Sequence, residues 1–257
     1  MSILECVTHK GILTLTLHRP DKLNALNHEV LTLLKEALEE AHHNSDIRAL
    51  MITGTQKAFC AGADIDELAV CNAETGYQFA QKGQAIFRQL ETLGKPSLAC
   101  VNGYAFGGGC ELAMAATLRI ASTNARFGQP EVKLGVIPGY GGTQRLARLV
   151  GKGRALDICL TGRFIDAQTA LNWGLVSEVI EPEHLLKRGY ELLQTILTMA
   201  PCAVKSVMEV IDYGYNLSLP EALHLEAMHF AKMCATEDKT IGTHAFLAKK
   251  TANFKGV

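Results

Sequence analysis

The sequence predicts an α/β protein whose last quarter is all-α. Two observations carry this. Up to about Ile180, short apolar or alternating runs of strand length alternate with amphipathic stretches of helical period, the order that packs helices against a sheet. From about Glu183 onward only helical periodicity remains.

The chain opens with two strand-like runs. Ile12–Leu17 (ILTLTL) alternates, and His9-Lys10-Gly11 supplies the reversal before it. A helix follows. Asn27 is a good N-cap, Glu29 suits the first turn, and Val30, Leu33, Leu34, Ala37, Leu38 and Ala41 form one apolar stripe. Ala49–Thr53 (ALMIT) reads as a buried strand closed by Gly54, residues 74–90 as a second helix, and Pro96–Val101 (PSLACV) as another buried strand ended by Asn102-Gly103. Val176–Ile180 is the last strand. Beyond it, 185–197, 203–211, 219–234 and 240–249 read as helices, with breaks at Pro201, Gly214 and Pro220. Such a tail makes a poor core of its own, so it is expected to cover the first part or a neighbouring copy. The division expected is 1–198 for the core and 199–257 for the helical region.

Composition narrows the function. The 257 residues carry 25 Lys plus Arg against 26 Asp plus Glu, a formal charge of −1, which excludes a broad basic footprint for nucleic acid or an anionic membrane. The N-terminal residues show no signal or transit peptide, and the longest uncharged stretch near the middle, Pro96–Cys110, is too short to span a bilayer. A cytoplasmic protein is expected. The eight cysteines contain no C-x-x-C pair, which fits reduced, mostly buried thiols in a reducing compartment.

Glycine concentrates in Val101–Arg145, VNGYAFGGGCELAMAATLRIASTNARFGQPEVKLGVIPGYGGTQR. Three consecutive glycines ahead of an apolar helix read either as a tight strand–helix turn or as a set of free N–H groups ready for an anion or a developing oxyanion. Nucleotide motifs fail. G-x-G-x-x-G would need glycine at Leu112 or Gln144, and Gly94-Lys95 and Gly151-Lys152 lack the Ser or Thr of a phosphate loop.

Glu111 follows the glycine run directly. A glutamate at a helix start complements the helix dipole, but Leu112–Ala116 predict a helix buried nearly all round, where a carboxyl is desolvated and its pKa rises towards the range useful for proton transfer. Glu131, among Phe127, Pro130, Val132, Leu134, Val136 and Ile137, reads either as a solvated loop residue beside Lys133 or as a second such carboxyl. Two carboxyls facing one substrate divide the work of acid and base once their environments differ. In Phe59–Leu68 (FCAGADIDEL), small residues at 61–63 allow backbone to approach a ligand, and Asp64 and Asp66 suit the cap of a following turn. Other constellations point elsewhere. Glu226-x-x-His229 is a single pair and reads as helix surface, no metal spacing is found, and G-x-S-x-G is absent. Cys60 and Cys110 flank the glycine segments and read as packing residues.

Taken together, HRPDKLNAL (18–26), AFCAGADIDEL (58–68), KPSLACVNGYAFGGGCELAMA (95–115), ARFGQPEVKLGVIPGYGGTQRL (125–146), TGRFIDAQTALNWGLVSEV (161–179) and AFLAKKTANFKG (245–256) resemble the enoyl-CoA hydratase (crotonase) family. The resemblance runs nearly end to end and implies a crotonase-like spiral of repeated strand–strand–helix turns, with a C-terminal helical region used in trimers or pairs of trimers. It implies main-chain N–H donors at Ala63 and Gly108 for the oxyanion, Glu111 and Glu131 as catalytic carboxyls, and a water-positioning backbone at Gly139. Ala61, Ala63, Asp64, Ile65 and Gly108 align with the coenzyme A contacts, and Lys249 and Lys250 are placed to reach its phosphates, across a subunit boundary if need be. No cofactor is implied beyond the coenzyme A of the substrate itself.

The activity so implied is hydration of a trans-2-enoyl-CoA to a 3-hydroxyacyl-CoA, as in fatty-acid β-oxidation. Retention of both glutamates favours hydration over isomerisation. The alternatives are an isomerase, or a hydratase or dehydratase of aromatic- or branched-acid breakdown. A more distant one is an RNA-binding member of the same fold, which the charge disfavours. Tyr140 stands within PGYGG where many members carry a small residue, and bears on the acyl pocket.

Overall fold

The computed structural model describes residues 2–257. The chain begins with a hairpin, β1 (Leu4–His9) and β2 (Ile12–Leu17), then α1 (His28–His43), whose start is fixed by the Asn27 side chain accepting from Val30 N. Three strand–strand–helix units follow. The first is β3 (Ala49–Gly54), β4 (Ala58–Cys60), the short α2 (Ile65–Ala69) and α3 (Ala73–Glu91). The second is β5 (Ser97–Val101), β6 (Tyr104–Phe106) and α4 (Gly108–Ala115). The third is β7 (Leu118–Ser122), β8 (Arg126–Gly128), α5 (Gly142–Val150) and α6 (Lys152–Thr161). Then come β9 (Phe164–Asp166), α7 (Ala167–Asn172) and β10 (Glu178–Ile180).

Each unit feeds two sheets. Six strands order as β1-β2-β3-β5-β7-β10, parallel apart from the β1–β2 hairpin; four order as β4-β6-β8-β9, with only β8–β9 antiparallel. This is the coil of strand–strand–helix turns that the resemblance implies. The residue pattern alone missed the smaller sheet. Its strands have three residues each, too few to show alternation.

The central strands β3 and β5 of the larger sheet are buried on both faces, which is why ALMIT and PSLACV carry no polar alternation. Leu50 and Ile52 of β3 face the main core with α1, α3 and α4. Ala49 and Met51 face a second core closed by Leu185 and Leu193 of α8 (Leu185–Leu197).

The tail contains α9 (Pro201–Gly214), α10 (Leu219–Cys234) and α11 (Glu237–Leu247). Pro201 and Pro220, expected as breaks, sit in the first turns of α9 and α10, where a missing N–H costs nothing. The only buried residues of the three helices are Ser206 and Asp238, and large apolar side chains such as Leu219, Met228, Phe230 and Phe246 are exposed. His229 is held by Ser206 Oγ at 2.7 Å, and Glu226 faces solvent. Among the described residues no helix is long and apolar enough to cross a membrane. All eight cysteines are free. Burial is less general than expected: Cys60, Cys100 and Cys110 are buried, whereas Cys6 and Cys234 are exposed.

Candidate active site

A cleft of about 850 Å³ opens between α3, α4, the 61–65 segment and the 130–140 segment. Of the residues singled out in the sequence, Ala61, Ala63, Ile65, Gly108, Glu111, Glu131 and Gly139 line it.

Its inner wall is the start of α4. Gly107 has φ +48°, and a Cβ there would come within 2.7 Å of Glu131 Oε1, so both backbone and space require glycine. A Cβ at Gly109 would collide with the Cys60 carbonyl, so its absence lets α4 seat against β4. Opposite lies the 61–64 segment. Leu26 N donates to Gly62 O and Asp64 N to Leu26 O, both at 2.8 Å. Extended backbone alternates its N–H directions, so the intervening Ala63 N–H turns away from Leu26. A Cβ at Gly108 would lie 3.2 Å from Ala63 N, so the two peptide units stand side by side. Among the described residues, neither the Ala63 nor the Gly108 N–H donates to a protein group. Paired free amides, one of them at a helix N-terminus, favour negative charge.

Glu111 is 1% exposed. Its Oε1 accepts from Tyr140 N at 2.8 Å and Gly142 N at 2.6 Å. Burial, and then the charge of Glu131, push its pKa up to about 8, against the opposing pull of those two amides. Burial likewise pushes Glu131, at the start of a 3₁₀ turn (Glu131–Leu134), up to about 7. Both carboxyls are thus shifted towards the range in which a group can take up and release a proton near neutrality.

Three supporting residues escaped the sequence reading. Gln129 is fully buried, and with its amide nitrogen towards Glu131 it donates at 2.9 Å to Oε1 and 3.2 Å to Oε2. It stands two residues before Glu131, but nothing in FGQPE says which way it faces. Gln84 of α3 donates to Gly139 O at 2.8 Å. Arg145 of α5 holds the Tyr140 carbonyl.

Asp64, Lys249 and Lys250 do not line the cleft. Asp64 caps α2 by accepting from Asp66 N at 3.1 Å and pairs with Arg19 at 3.0 Å, so its side chain braces the segment that carries Ala63. Lys249 and Lys250 follow α11 on the exposed tail. Cys60 and Cys110 are buried beside the site. Burial pushes the Cys60 thiol up to about 12 and Cys110 higher still, which makes them packing groups rather than nucleophiles. Among the described residues no group of His, Cys, Asp or Glu is placed to hold a metal ion.

The family described as Enoyl-CoA hydratase/isomerase matches residues 7–257. A short-chain-enoyl-CoA hydratase of Clostridium acetobutylicum is 44% identical over 240 residues, 93% of this chain and 92% of that one. A crotonyl-CoA hydratase of Syntrophomonas wolfei is 42% identical over 241 residues, 93% of each. Among solved structures, an enoyl-CoA hydratase from Bacillus anthracis superposes with a TM-score of 0.95 at 34% identity, covering both chains entirely. The two-sheet coil is therefore the crotonase fold. The chain belongs to the enoyl-CoA hydratase/isomerase family.

Proposed function

We propose that this protein is a hydro-lyase that adds water across the 2,3-double bond of a trans-2-enoyl-CoA to give a 3-hydroxyacyl-CoA. The observation that carries the reading is one cleft holding two carboxyls with raised pKa values opposite two unpartnered main-chain N–H groups.

Attack of water at C3 drives the π electrons through C2 onto the thioester oxygen. The Ala63 and Gly108 amides stabilise that oxygen as it becomes enolate-like. Losing one such donor costs acyl-transfer enzymes about 3–4 kcal/mol, so the pair is the largest single contribution. Glu111 takes the proton of the attacking water and Glu131 delivers a proton to C2; the water left in sum is one O–H on C3 and one H on C2. The proton then returns from Glu111 to Glu131. Each transfer is worth about 10²–10⁴ in rate.

Two amides support this assignment of roles. With Glu131 protonated, its charge no longer raises Glu111, and the two amides on Glu111 Oε1 favour the anion. What supports Glu111 as the base and Glu131 as the acid is that pair of amides, since among the described residues Glu131 Oε1 and Oε2 accept from no backbone N–H of another residue. Gly139, fixed by Gln84, orients the water. Ala61 and Ile65 flank the coenzyme A moiety at the mouth of the cleft. The exposed apolar side chains of α10 and α11 are assigned to contacts between copies, in a trimer or a pair of trimers. That packing is also what would bring Lys249 and Lys250 to a neighbour's coenzyme A phosphates.

The test is the loss of conjugated enoyl-thioester absorbance when purified protein meets crotonyl-CoA. Full activity in both Glu111→Gln and Glu131→Gln would remove the mechanism. Mass measurement in solution tests the assembly.

A further inference from the structure

Tyr140 lines the cleft yet is only 2% exposed. Its backbone is tied on both sides, the N–H to Glu111 and the carbonyl to Arg145 at 2.7 Å, so the point from which the ring projects is fixed. The ring fills the space between two helices that glycine leaves open. A Cβ at Gly83 of α3 would clash with the ring, 2.2 Å from its Cδ1, and one at Gly108 of α4 would lie 3.2 Å and 3.3 Å from its Cδ2 and Cε2. Phe79 and Phe87 complete the packing, with ring centroids at 5.3 Å and 5.5 Å. Among the described residues the hydroxyl is buried without a partner, so no polar group there calls for tyrosine at this place.

We infer that the Tyr140 ring, seated against Gly83 and Gly108, is the end wall of the acyl pocket and restricts the enzyme to short-chain 2-enoyl-CoA thioesters. The inference rests on the reading of the cleft as an enoyl-CoA hydratase site. In that reading the thioester oxygen lies on the Gly108 amide and C3 faces Glu111. The ring edge touches Gly108 itself, so acyl carbons running inward from those anchors meet the ring. Without it, a dry apolar recess bounded by Phe79, Gly83 and Phe87 would join the cleft. Gly83 is the enabling partner, because any side chain there would push the ring into the reacting volume. A misfit of a single methylene in such a pocket changes kcat/KM by about 10–200-fold.

The experiment measures kcat/KM for crotonyl-CoA, trans-2-hexenoyl-CoA and trans-2-octenoyl-CoA. The wild type is expected to favour crotonyl-CoA, and Tyr140→Ala to raise the octenoyl-to-crotonyl ratio by about tenfold or more. Tyr140→Phe, which keeps the ring, holds the wild-type ratio. Gly83→Ala is expected to depress crotonyl-CoA turnover, and Gly83→Ala combined with Tyr140→Ala to recover part of it. Tyr140→Met serves the same comparison if Tyr140→Ala does not fold. A wild type that hydrates octenoyl-CoA as well as crotonyl-CoA, or an unchanged ratio in both smaller variants, overturns the inference and leaves the hydratase reading standing. Should the wild type turn over no enoyl-CoA, that reading fails instead. Calorimetric binding of butyryl-CoA and octanoyl-CoA then decides: the inference holds if Tyr140→Ala reverses the preference and falls if it does not.

Discussion

Arg145 donates from Nη1 to the Tyr140 carbonyl at 2.7 Å while its Nε and Nη2 grip Glu91 at 2.6 Å and 2.9 Å. The far side of the same loop gives its Tyr140 and Gly142 amides to Glu111. The proposed base is therefore held by a loop that is itself clamped between α3 and α5.

Arg145→Met keeps most of the stem and loses the clamp. Small misplacements of reacting groups cost on the order of 10²-fold, so kcat for crotonyl-CoA is expected to fall about 10–100-fold with little change in KM. The Arg145 charge also pulls the Glu111 pKa down. Its loss moves the pH at which Glu111 ionises upward, and a pH–rate profile reads that displacement. A purely structural defect would lower the profile without displacing it.

Glu111→Gln and Glu131→Gln remove one proton-transfer group each. Each is expected to lower kcat by about 10²–10⁴. The double substitution is expected to cost far less than the product of the two, because neither group works alone. Steady-state hydration of crotonyl-CoA measures all three.

Folding stability should carry the mark of the raised pKa values. The folded protein holds protons on Glu111 and Glu131 that the unfolded chain releases at an ordinary carboxyl pKa of about 4.3. Between that value and about 8 the native state binds more protons, so stability falls as pH rises through the window. Glu111→Gln removes the larger part of the penalty. It is expected to stabilise the protein at pH 8, by on the order of 1 kcal/mol or about 2–4 °C in Tm, with the gain shrinking towards pH 5. Thermal melts of both proteins across pH decide it. A gain that does not vary with pH would contradict the account.

Asp64→Asn keeps an oxygen for the α2 cap but leaves the Arg19 guanidinium without its anion in a pair of which the side chains are 16% and 9% exposed. Breaking a buried pair costs about 3–5 kcal/mol, and the lower end applies here because Arg19 keeps its bond to the Ala25 carbonyl. The segment carrying Ala63 loosens with it, so kcat is expected to fall too. Urea unfolding and turnover measured on the same variant test whether the two losses travel together.

Much of this was legible in the chain itself. The Asn27 cap, the buried strands at 49–53 and 96–101 and the apolar helix after the glycine run are local patterns, and each reappears in place. Glu111 stood out because a carboxylate seldom sits in front of LAMAA. The smaller sheet did not, since three-residue strands carry no period. Asp64 was readable as a cap, two residues from the Asp66 N–H that donates to it, but not as a partner for Arg19, 45 residues away. Gln129, Gln84 and Arg145 were invisible for the same reason. Their task is defined by what folding brings opposite them, and no spacing encodes that.

The alternation of consecutive strands between two sheets also governs how the molecule is made. On a ribosome, β3 pairs with β5 only after about forty more residues emerge, and β4 must wait likewise for β6. Neither sheet is finished until β9 and β10 arrive. A chain released before Ile180 presents raw parallel edges to its neighbours. Premature termination ahead of Ile180 is thus expected to yield aggregates rather than a smaller working enzyme.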